Sequence, residues 1–348
     1  MSEKILSIII PSCNMEKYLG QCLDSLLVSN LDKVEVLVIN DGSKDRTSEI
    51  GHCYEANYPG SIRVIDKPNG HYGSCINCGL KEATGKYVKI LDADDSFDTT
   101  NFEHFVDFLS HCNSDLVLSP YAIVDENRIE KQQVAFEDAQ KWDSVTTFTK
   151  ALPLLKKDLP QMHAICYKLQ NLKDLKYSQT EGVAYTDQEW IFYPMVKVKR
   201  ASYFPEIVYR YLVGREGQSV DSSLSIKAKK AQLMLVTKRI ELYSQLKSKI
   251  GQEYEEYLFN RLLQSLSGLY KEILLGEGYA QYYPTLAELD TSLYQKADGI
   301  YKKLGELKTP SFIHCRYVNI WRNASNRSHK LPPILTLFQK IRSLRSRI

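Results

Sequence analysis

Apolar positions in the first hundred residues fall into short β-branched runs separated by stretches of helical spacing. Ile5–Ile10, Val34–Ile39, Ile62–Ile65 and Tyr87–Leu91 read as strands. Between them, Glu16–Leu27, Lys44–Ala56 and Tyr72–Ala83 place apolar residues on one helical face, with Gly or Pro near several boundaries. The resulting β-α-β-α-β-α-β order predicts a Rossmann-like α/β fold with a mostly parallel central sheet. Ligands of such sheets sit at the carboxyl ends of the strands. A helix near Phe102–Ser110 and a strand near Leu116–Leu118 follow, then a less regular stretch to about Pro160. Helical and strand signals resume at Asp187–Met195 and Ser202–Leu212. From about Ser225 the sequence turns charged, leucine-rich and helical past Leu275 and again over Thr285–Leu304, which predicts an all-helical C-terminal region.

Composition narrows the class. The 348 residues suit one catalytic domain with a helical appendage, and 43% hydrophobic residues are ordinary for a globular protein. No apolar run approaches the length of a membrane span, and the short run before Pro11 is better explained as a first strand than as an export signal. Eight cysteines without a regular framework suit a reducing compartment, so the expected location is cytoplasmic. A net charge of +3 argues against nucleic acid as a partner. That charge is uneven: residues 316–348 hold eight Lys/Arg and no Asp/Glu, leaving the first 315 at −5.

The strand ends carry the candidate chemistry. The first runs into Pro11-Ser12-Cys13-Asn14, the second into Asn40-Asp41-Gly42-Ser43-Lys44-Asp45, the fourth into Asp92-Ala93-Asp94-Asp95. Asp41 and Asp92 could accept hydrogen bonds from a base and a ribose. Asn-Asp-Gly-Ser is equally good turn chemistry, with Ser43 or Asp45 capping the next helix. Three carboxylates within four residues at a sheet mouth repel one another unless a cation is shared. Mg²⁺ or Mn²⁺ fits, because a hard ion prefers oxygen ligands and commonly joins one or two carboxylates to a substrate diphosphate. The bland alternative is a solvated helix N-cap. A dinucleotide-dependent oxidoreductase would need G-x-G-x-x-G where Pro-Ser-Cys-Asn stands.

These residues resemble the family 2 glycosyltransferases, whose GT-A domain opens with P-[ST]-x-N-x-x-x-Y-L, here Pro11, Ser12, Asn14, Tyr18 and Leu19. The NDGS-x-D-x-T motif follows as Asn40, Asp41, Gly42, Ser43, Asp45 and Thr47. Asn69, Gly70, Asn77, Gly79, Ala83, Gly85 and Tyr87 continue the pattern up to the D-x-D cluster, over about 90 residues in unbroken order. The resemblance implies a GT-A fold and inverting transfer of a sugar from a nucleoside diphosphate, usually UDP, to a hydroxyl. It assigns Asp41 to the base, Asp92 to the ribose and Asp94 to the metal, with Pro11, Ser12, Asn14, Gly70 and Ala93 lining the nucleotide. It also implies a carboxylate that takes the acceptor proton. The family's acidic pair matches Tyr185-Thr186-Asp187-Gln188-Glu189-Trp190, which makes Asp187 the expected base and Glu189 its rival, with simple helix capping as the alternative. Arg215, Gln218 and Ser219, in Gly214-Arg215-Glu216-Gly217-Gln218-Ser219, resemble the segment that closes over the diphosphate.

The resulting organisation is a catalytic domain over 1–222, with a nucleotide-binding half (1–98) and an acceptor half (99–222), a helical domain over 223–315, and a basic amphipathic tail over 316–348. Cys75 and Cys78 have C-x-x-C spacing without a second pair and read as a small buried helix face. His71 adjoins the donor cleft, while His163 and Lys168 fall where an acceptor site would lie. In the tail, Ile334, Leu337, Phe338, Ile341, Leu344 and Ile348 share one helical face flanked by Lys340, Arg342 and Arg347. Such a helix lies on an anionic membrane, docks on its own protein, or forms an oligomer contact. The leading expectation is an inverting glycosyltransferase extending a glycan or lipid-linked glycan in cell-surface polysaccharide synthesis, peripheral on the inner face of the plasma membrane. The alternatives are a polyprenyl-phosphate sugar synthase and a non-catalytic nucleotide-sugar-binding scaffold subunit.

Overall fold

The computed structural model describes residues 3–136, 146–147, 150, 155, 159–215, 226–309 and 315–345. The chain divides into two compact units, Met1–Ala228 and Lys229–Ile348.

The first unit begins with β1 (Leu6–Ser12), α1 (Leu19–Asp24), β2 (Val34–Asp41), α2 (Thr47–Asn57), β3 (Ile62–Lys67), α3 (His71–Glu82) and β4 (Tyr87–Ile90). It continues with β5 (Ser96–Phe97), α4 (Thr99–His111), β6 (Leu116–Leu118), β7 (Tyr121–Val124), β8 (Glu130–Val134), β9 (Thr146–Thr147), β10 (Ile165–Lys168), α5 (Leu169–Asp174), α6 (Asp187–Trp190), β11 (Arg200–Tyr203) and β12 (Tyr209–Leu212). Eight strands form one sheet in the order β3-β2-β1-β4-β10-β6-β11-β9, and four form a second, β5-β12-β7-β8. β1 pairs in parallel with both β2 and β4. The chain winds outward from β1 to β3, then crosses back through α3 to β4 on β1's other side. That reversal opens a crevice at the carboxyl ends of β1 and β4, where ligands of such sheets bind.

The central strands are where they are because their side chains have nowhere else to go. Leu6, Ile8, Ile9 and Ile10 of β1 are fully buried, as are Val36, Leu37 and Ile39 of β2. α3 lies close over β1 because Gly79 faces Ile9; a Cβ there would come within 2.5 Å of Cγ2 of Ile9. α4 is capped by Asp98, whose carboxylate accepts from the Asn101 N–H at 3.1 Å.

Three departures from the sequence reading have physical causes. The expected irregular stretch before Pro160 contains a hairpin, β7 with β8, whose second strand is exposed and polar and so lacks an apolar period. β10 is too short to show a period, and is held in the main sheet by antiparallel pairing to β4 and β6. The single signal over Ser202–Leu212 is two strands in different sheets, β11 beside β6 and β12 between β5 and β7.

The second unit is helical: α7 (Ile226–Leu246), α8 (Gln252–Leu275), α9 (Tyr283–Lys296), α10 (Asp298–Gly305), α11 (Tyr317–Arg322) and α12 (Pro333–Arg345). Leu258, Leu262, Leu266, Tyr270 and Ile273 of α8 line its core, with Leu286, Leu293, Ile300, Leu304 and Trp321. Asp290, fully buried, is paired with Arg322 at 2.7 Å and Arg327 at 3.0 Å, and accepts from the Tyr270 hydroxyl at 2.8 Å. α12 docks on α8 through buried Leu335 and through Gln339, whose amide donates to the Gly276 carbonyl at 2.6 Å. Ile334 and Leu337 stay exposed, at 41% and 57%. Among the described residues no helix is long and apolar enough to cross a membrane.

Candidate active site

The ends of β1 and β2 are laced together by side chains. Asn14, at φ 55°, donates its N–H to Ser43 Oγ at 3.0 Å and accepts from the Lys44 N–H at 2.8 Å. Asp45 accepts from the backbone N–H groups of Glu16 and Thr47, both at 3.0 Å, and from the Thr47 hydroxyl at 2.5 Å. Those hydrogen bonds hold its carboxyl below the ordinary aspartate range, although partial burial pushes the other way. Ser43 and Asp45 therefore tie two loops together, and Asp45 also satisfies the N–H of Thr47, the first residue of α2, where the residue at the cap position, Arg46, makes no side-chain cap. The polar spacing of this motif is thus largely architectural.

Asp41 ends β2, almost wholly buried. Its Oδ1 accepts from Lys67 Nζ at 2.6 Å and from the Gly70 N–H at 2.9 Å. Gly70 has no room for a side chain, since a Cβ would lie 2.5 Å from Ser74 Oγ. Pro11 and Ser12 are the last residues of β1, in register with Ile39 and Asn40.

The acidic cluster follows β4 and its members differ sharply. Asp92 is half-buried and accepts from the Tyr72 hydroxyl at 2.9 Å. Burial, and then the charge of Asp94, push its carboxyl up to about 7. Ala93 is buried. Asp94 is buried too, and its Oδ2 is paired with Nε of Arg215, whose guanidinium stands 5.4 Å from the Tyr18 ring centre. Asp95 is fully buried, taking the Tyr209 hydroxyl at 2.5 Å and the Leu212 N–H at 2.7 Å. Burial and the neighbouring Asp94 and Asp92 charges raise it well above the carboxylate range. Asp95 therefore fastens β12 to the cluster, a role not foreseen from sequence.

On the opposite wall, a 3-10 turn over Met162–Ala164 presents His163. Its ring stacks on Tyr211 at 4.3 Å and meets Tyr209 edge-on at 4.8 Å. Its Nδ1 is buried without a hydrogen-bond partner. Burial, and then the charge of Lys89, lower the imidazole to about 3, so it stays neutral. Lys89, itself fully buried in β4, donates to the His163 carbonyl at 2.6 Å and to the Ile165 carbonyl at 3.3 Å. Burial lowers its ammonium to about 8.

Asp187 opens α6 and accepts from the Gln188 amide at 3.1 Å; its negative charge helps to raise Asp92, Tyr72 and Tyr211. Glu189 is buried and accepts from the Thr180 N–H at 2.6 Å and the Thr180 hydroxyl at 2.7 Å. Lys168 ends β10 against Tyr87, in register with the near end of β4. Gln218 and Ser219 lie outside the described residues.

Pro11 and Ser12 end β1, Asp41 ends β2 with Gly70 bonded to it, and the acidic cluster follows β4 with Arg215 on Asp94, so these residues stand at the carboxyl ends of adjacent strands. Sequence reasoning passed over Tyr72, Lys67 and Lys89, counted Asp95 only as one carboxylate of the acidic cluster, and set His163 beside an acceptor site. A divalent ion fits this set: Asp92, Asp95 and His163 each offer one ligand atom, all within 4.8 Å of one another. Asp94 stands beside them with Arg215 as its counter-charge.

Residues 7–168 match the sequence profile described as Glycosyl transferase family 2. EpsJ of Bacillus subtilis (strain 168), described as an uncharacterized glycosyltransferase, is 36% identical over 113 residues, which are 32% of this chain and 33% of that one. The glycosyltransferase MG025 of Mycoplasma genitalium, likewise uncharacterized, is 36% identical over 132 residues, 36% of this chain and 43% of that one. The chain therefore spans only about a third to two fifths of those relatives' length. Among solved structures, S. aureus TarS resembles it at 18% identity with TM-score 0.59, covering 89% of this chain and 56% of TarS. Its fragment 1-349 in complex with UDP-GlcNAc gives TM-score 0.54 over 86% of this chain and 91% of the fragment. With a GT-A fold, acidic residues gathered at its strand ends and a profile match over residues 7–168, the chain carries a region that matches glycosyltransferase family 2.

Proposed function

We propose that the chain moves a sugar, a hexose or N-acetylhexosamine, from a nucleoside-diphosphate donor to a hydroxyl of a glycan acceptor with inversion, in cell-surface polysaccharide synthesis. The observation that carries this reading is the division of labour between two nearby carboxylates. Glu189 is committed to Thr180 by two hydrogen bonds, whereas Asp187, the first residue of α6, accepts from the amide of its neighbour Gln188 at 3.1 Å and adds negative charge that helps to raise Asp92. A base on the side opposite the nucleotide is what in-line attack by a weak hydroxyl nucleophile requires.

In this reading Asp41, oriented by Lys67, receives the donor's base, and Asp92, steadied by Tyr72, receives the ribose. The backbone of Pro11, Ser12, Asn14, Gly70 and Ala93 shapes the nucleotide slot. Asp94 contributes to a divalent site, Mn²⁺ or Mg²⁺, and an ion bound there neutralises charge building on the leaving diphosphate. Arg215, paired with Asp94, supplies a charge-assisted donor for that diphosphate, with Gln218 and Ser219 as neutral donors. Asp187 takes the acceptor proton.

Calorimetric titration with UDP, GDP and CDP, with and without Mn²⁺, tests the donor half on wild type and Asp94→Ala. UDP comes first because the similar TarS fragment is solved with UDP-GlcNAc. Mn²⁺-dependent binding of one nucleotide, weakened in the variant, is expected; silence with all of them overturns the reading in favour of a scaffold. The tail belongs to the proposal as a peripheral membrane contact, supported by exposed Ile334 and Leu337 beside Lys340. Sedimentation with anionic vesicles should fall for Ile334→Ser/Leu337→Ser, and unchanged sedimentation removes the tail from the reading.

A further inference from the structure

We propose that an imidazole nitrogen of His163 is a direct ligand of a divalent cation held against Asp92 and Asp95. This rests on the glycosyltransferase reading only for the cation's purpose; the site itself stands on geometry. One atom each from Asp92, Asp95 and His163 falls within 4.8 Å of the other two. A hard divalent ion with ligands at about 2.1 Å holds adjacent ligands about 3 Å and opposite ones about 4.2 Å apart, so side-chain rotations that draw the atoms in by about an ångström close the set around one ion.

The second observation is the orphaned nitrogen. Nδ1 of His163 is buried and makes no hydrogen bond. Buried polar atoms are nearly always satisfied, and an exception at a functional site points to a missing partner. A cation meets that need, whereas an ordinary core histidine would have found a carbonyl or hydroxyl. The ring is also held for the purpose. Tyr211 stacks on its face at 4.3 Å, and the Tyr209 ring, which meets it edge-on at 4.8 Å, is itself fixed by its hydroxyl's bond to Asp95. Lys89 pins the turn from below through the carbonyls of His163 and Ile165. Tyr72 joins the walls from above, donating to Asp92 at 2.9 Å and standing 3.4 Å from Met162 Sδ. Neutral imidazole alongside carboxylates suits Mn²⁺ or a later first-row ion better than Mg²⁺, whose preference is for oxygen.

The experiment is electron spin-echo envelope modulation on the full chain loaded with Mn²⁺ alone, in natural-abundance and [¹⁵N]His-labelled protein, and in His163→Gln. Nitrogen modulation that changes with the label and is absent from His163→Gln is expected. Mn²⁺ affinity of the variant should fall at least about tenfold, the low end of what removing a mere outer partner costs a metal site. The labelled wild type keeps the test valid if the variant misfolds. Mn²⁺ bound without nitrogen modulation, modulation that survives in His163→Gln, or no Mn²⁺ binding at all each overturn the inference. Nitrogen-ligated Mn²⁺ in a protein that turns over no nucleotide sugar would leave the site standing and sink the glycosyltransferase reading instead.

Discussion

Asp187→Asn and Glu189→Gln form a matched pair of perturbations, two residues apart, with opposite expected consequences. Asparagine at 187 keeps the side chain's shape and removes its basicity. A positioned general base contributes about 10²–10⁴ in rate, and at about 1.4 kcal/mol per decade its loss costs about 3–5 kcal/mol of barrier. Because Asp187 is assigned to the acceptor and Asp41 to the nucleotide, nucleotide affinity should hold within about twofold, the signature of an interaction made only in the transition state. Glutamine at 189 does the reverse. Glu189 accepts from Thr180 twice, at 2.6 and 2.7 Å, in a buried setting. The amide keeps one acceptor and turns an NH₂ group toward a donor. Charge-assisted hydrogen bonds contribute about 1.5–3 kcal/mol each and neutral ones about 0.5–1.5, so the first unit should lose about 2–4 kcal/mol of stability. Nucleoside diphosphate release at saturating donor, calorimetric nucleotide affinity and urea denaturation separate the two. Near-normal turnover by Asp187→Asn refutes the assignment, and a Glu189→Gln protein of full stability but no turnover transfers the role to Glu189.

Other consequences are independent of that site. His52 sits between Asp66 at 2.8 Å and Glu55 at 2.7 Å, which raise its pKa above the usual 6.5, Asp66 first. The stability it adds is present in acid and is lost as pH rises through that raised value. An NMR titration should therefore give a midpoint above 6.5 that drops in Asp66→Asn; an unmoved midpoint removes the pair as the cause. Gly79→Ala drives a methyl to 2.5 Å from Ile9, so the thermal midpoint should fall by the equivalent of about 1–3 kcal/mol of overpacking, although alanine favours helix. A rise in midpoint would mean that α3 shifts freely over β1. Asp290→Asn leaves Arg322 and Arg327 beside a neutral amide in the core of the helical unit, and breaking such a buried pair costs about 3–5 kcal/mol. Limited proteolysis of the 229–348 unit should accelerate accordingly, and an unchanged rate would show that the pair adds little.

The sequence alone determined the winding of the first half. Its strands are short apolar runs punctuated by polar turns, and the observed β1, β2, β3 and β4 lie where Ile5–Ile10, Val34–Ile39, Ile62–Ile65 and Tyr87–Leu91 were expected, within a few residues. Local periodicity suffices there because a central parallel strand is written in its own side chains. The strand-end motifs were legible for the same reason, since topology carries whatever follows such strands to one edge of the sheet. Which polar groups would meet was decided only by tertiary structure. Lys67 on Asp41, Arg215 on Asp94, and Tyr209 on Asp95 join residues far apart in the chain, and no local pattern records those partners. Sequence set Asp187 ahead of Glu189 only through the family resemblance; that Glu189 is bonded to Thr180 follows from tertiary structure, because both carboxylates sit in one short helix and no local pattern records that partner. His163 is the clearest case. It reaches Asp92 because β10, a strand of four residues, pairs antiparallel with β4, and a strand that short is specified by its neighbours in the sheet rather than by any period of its own.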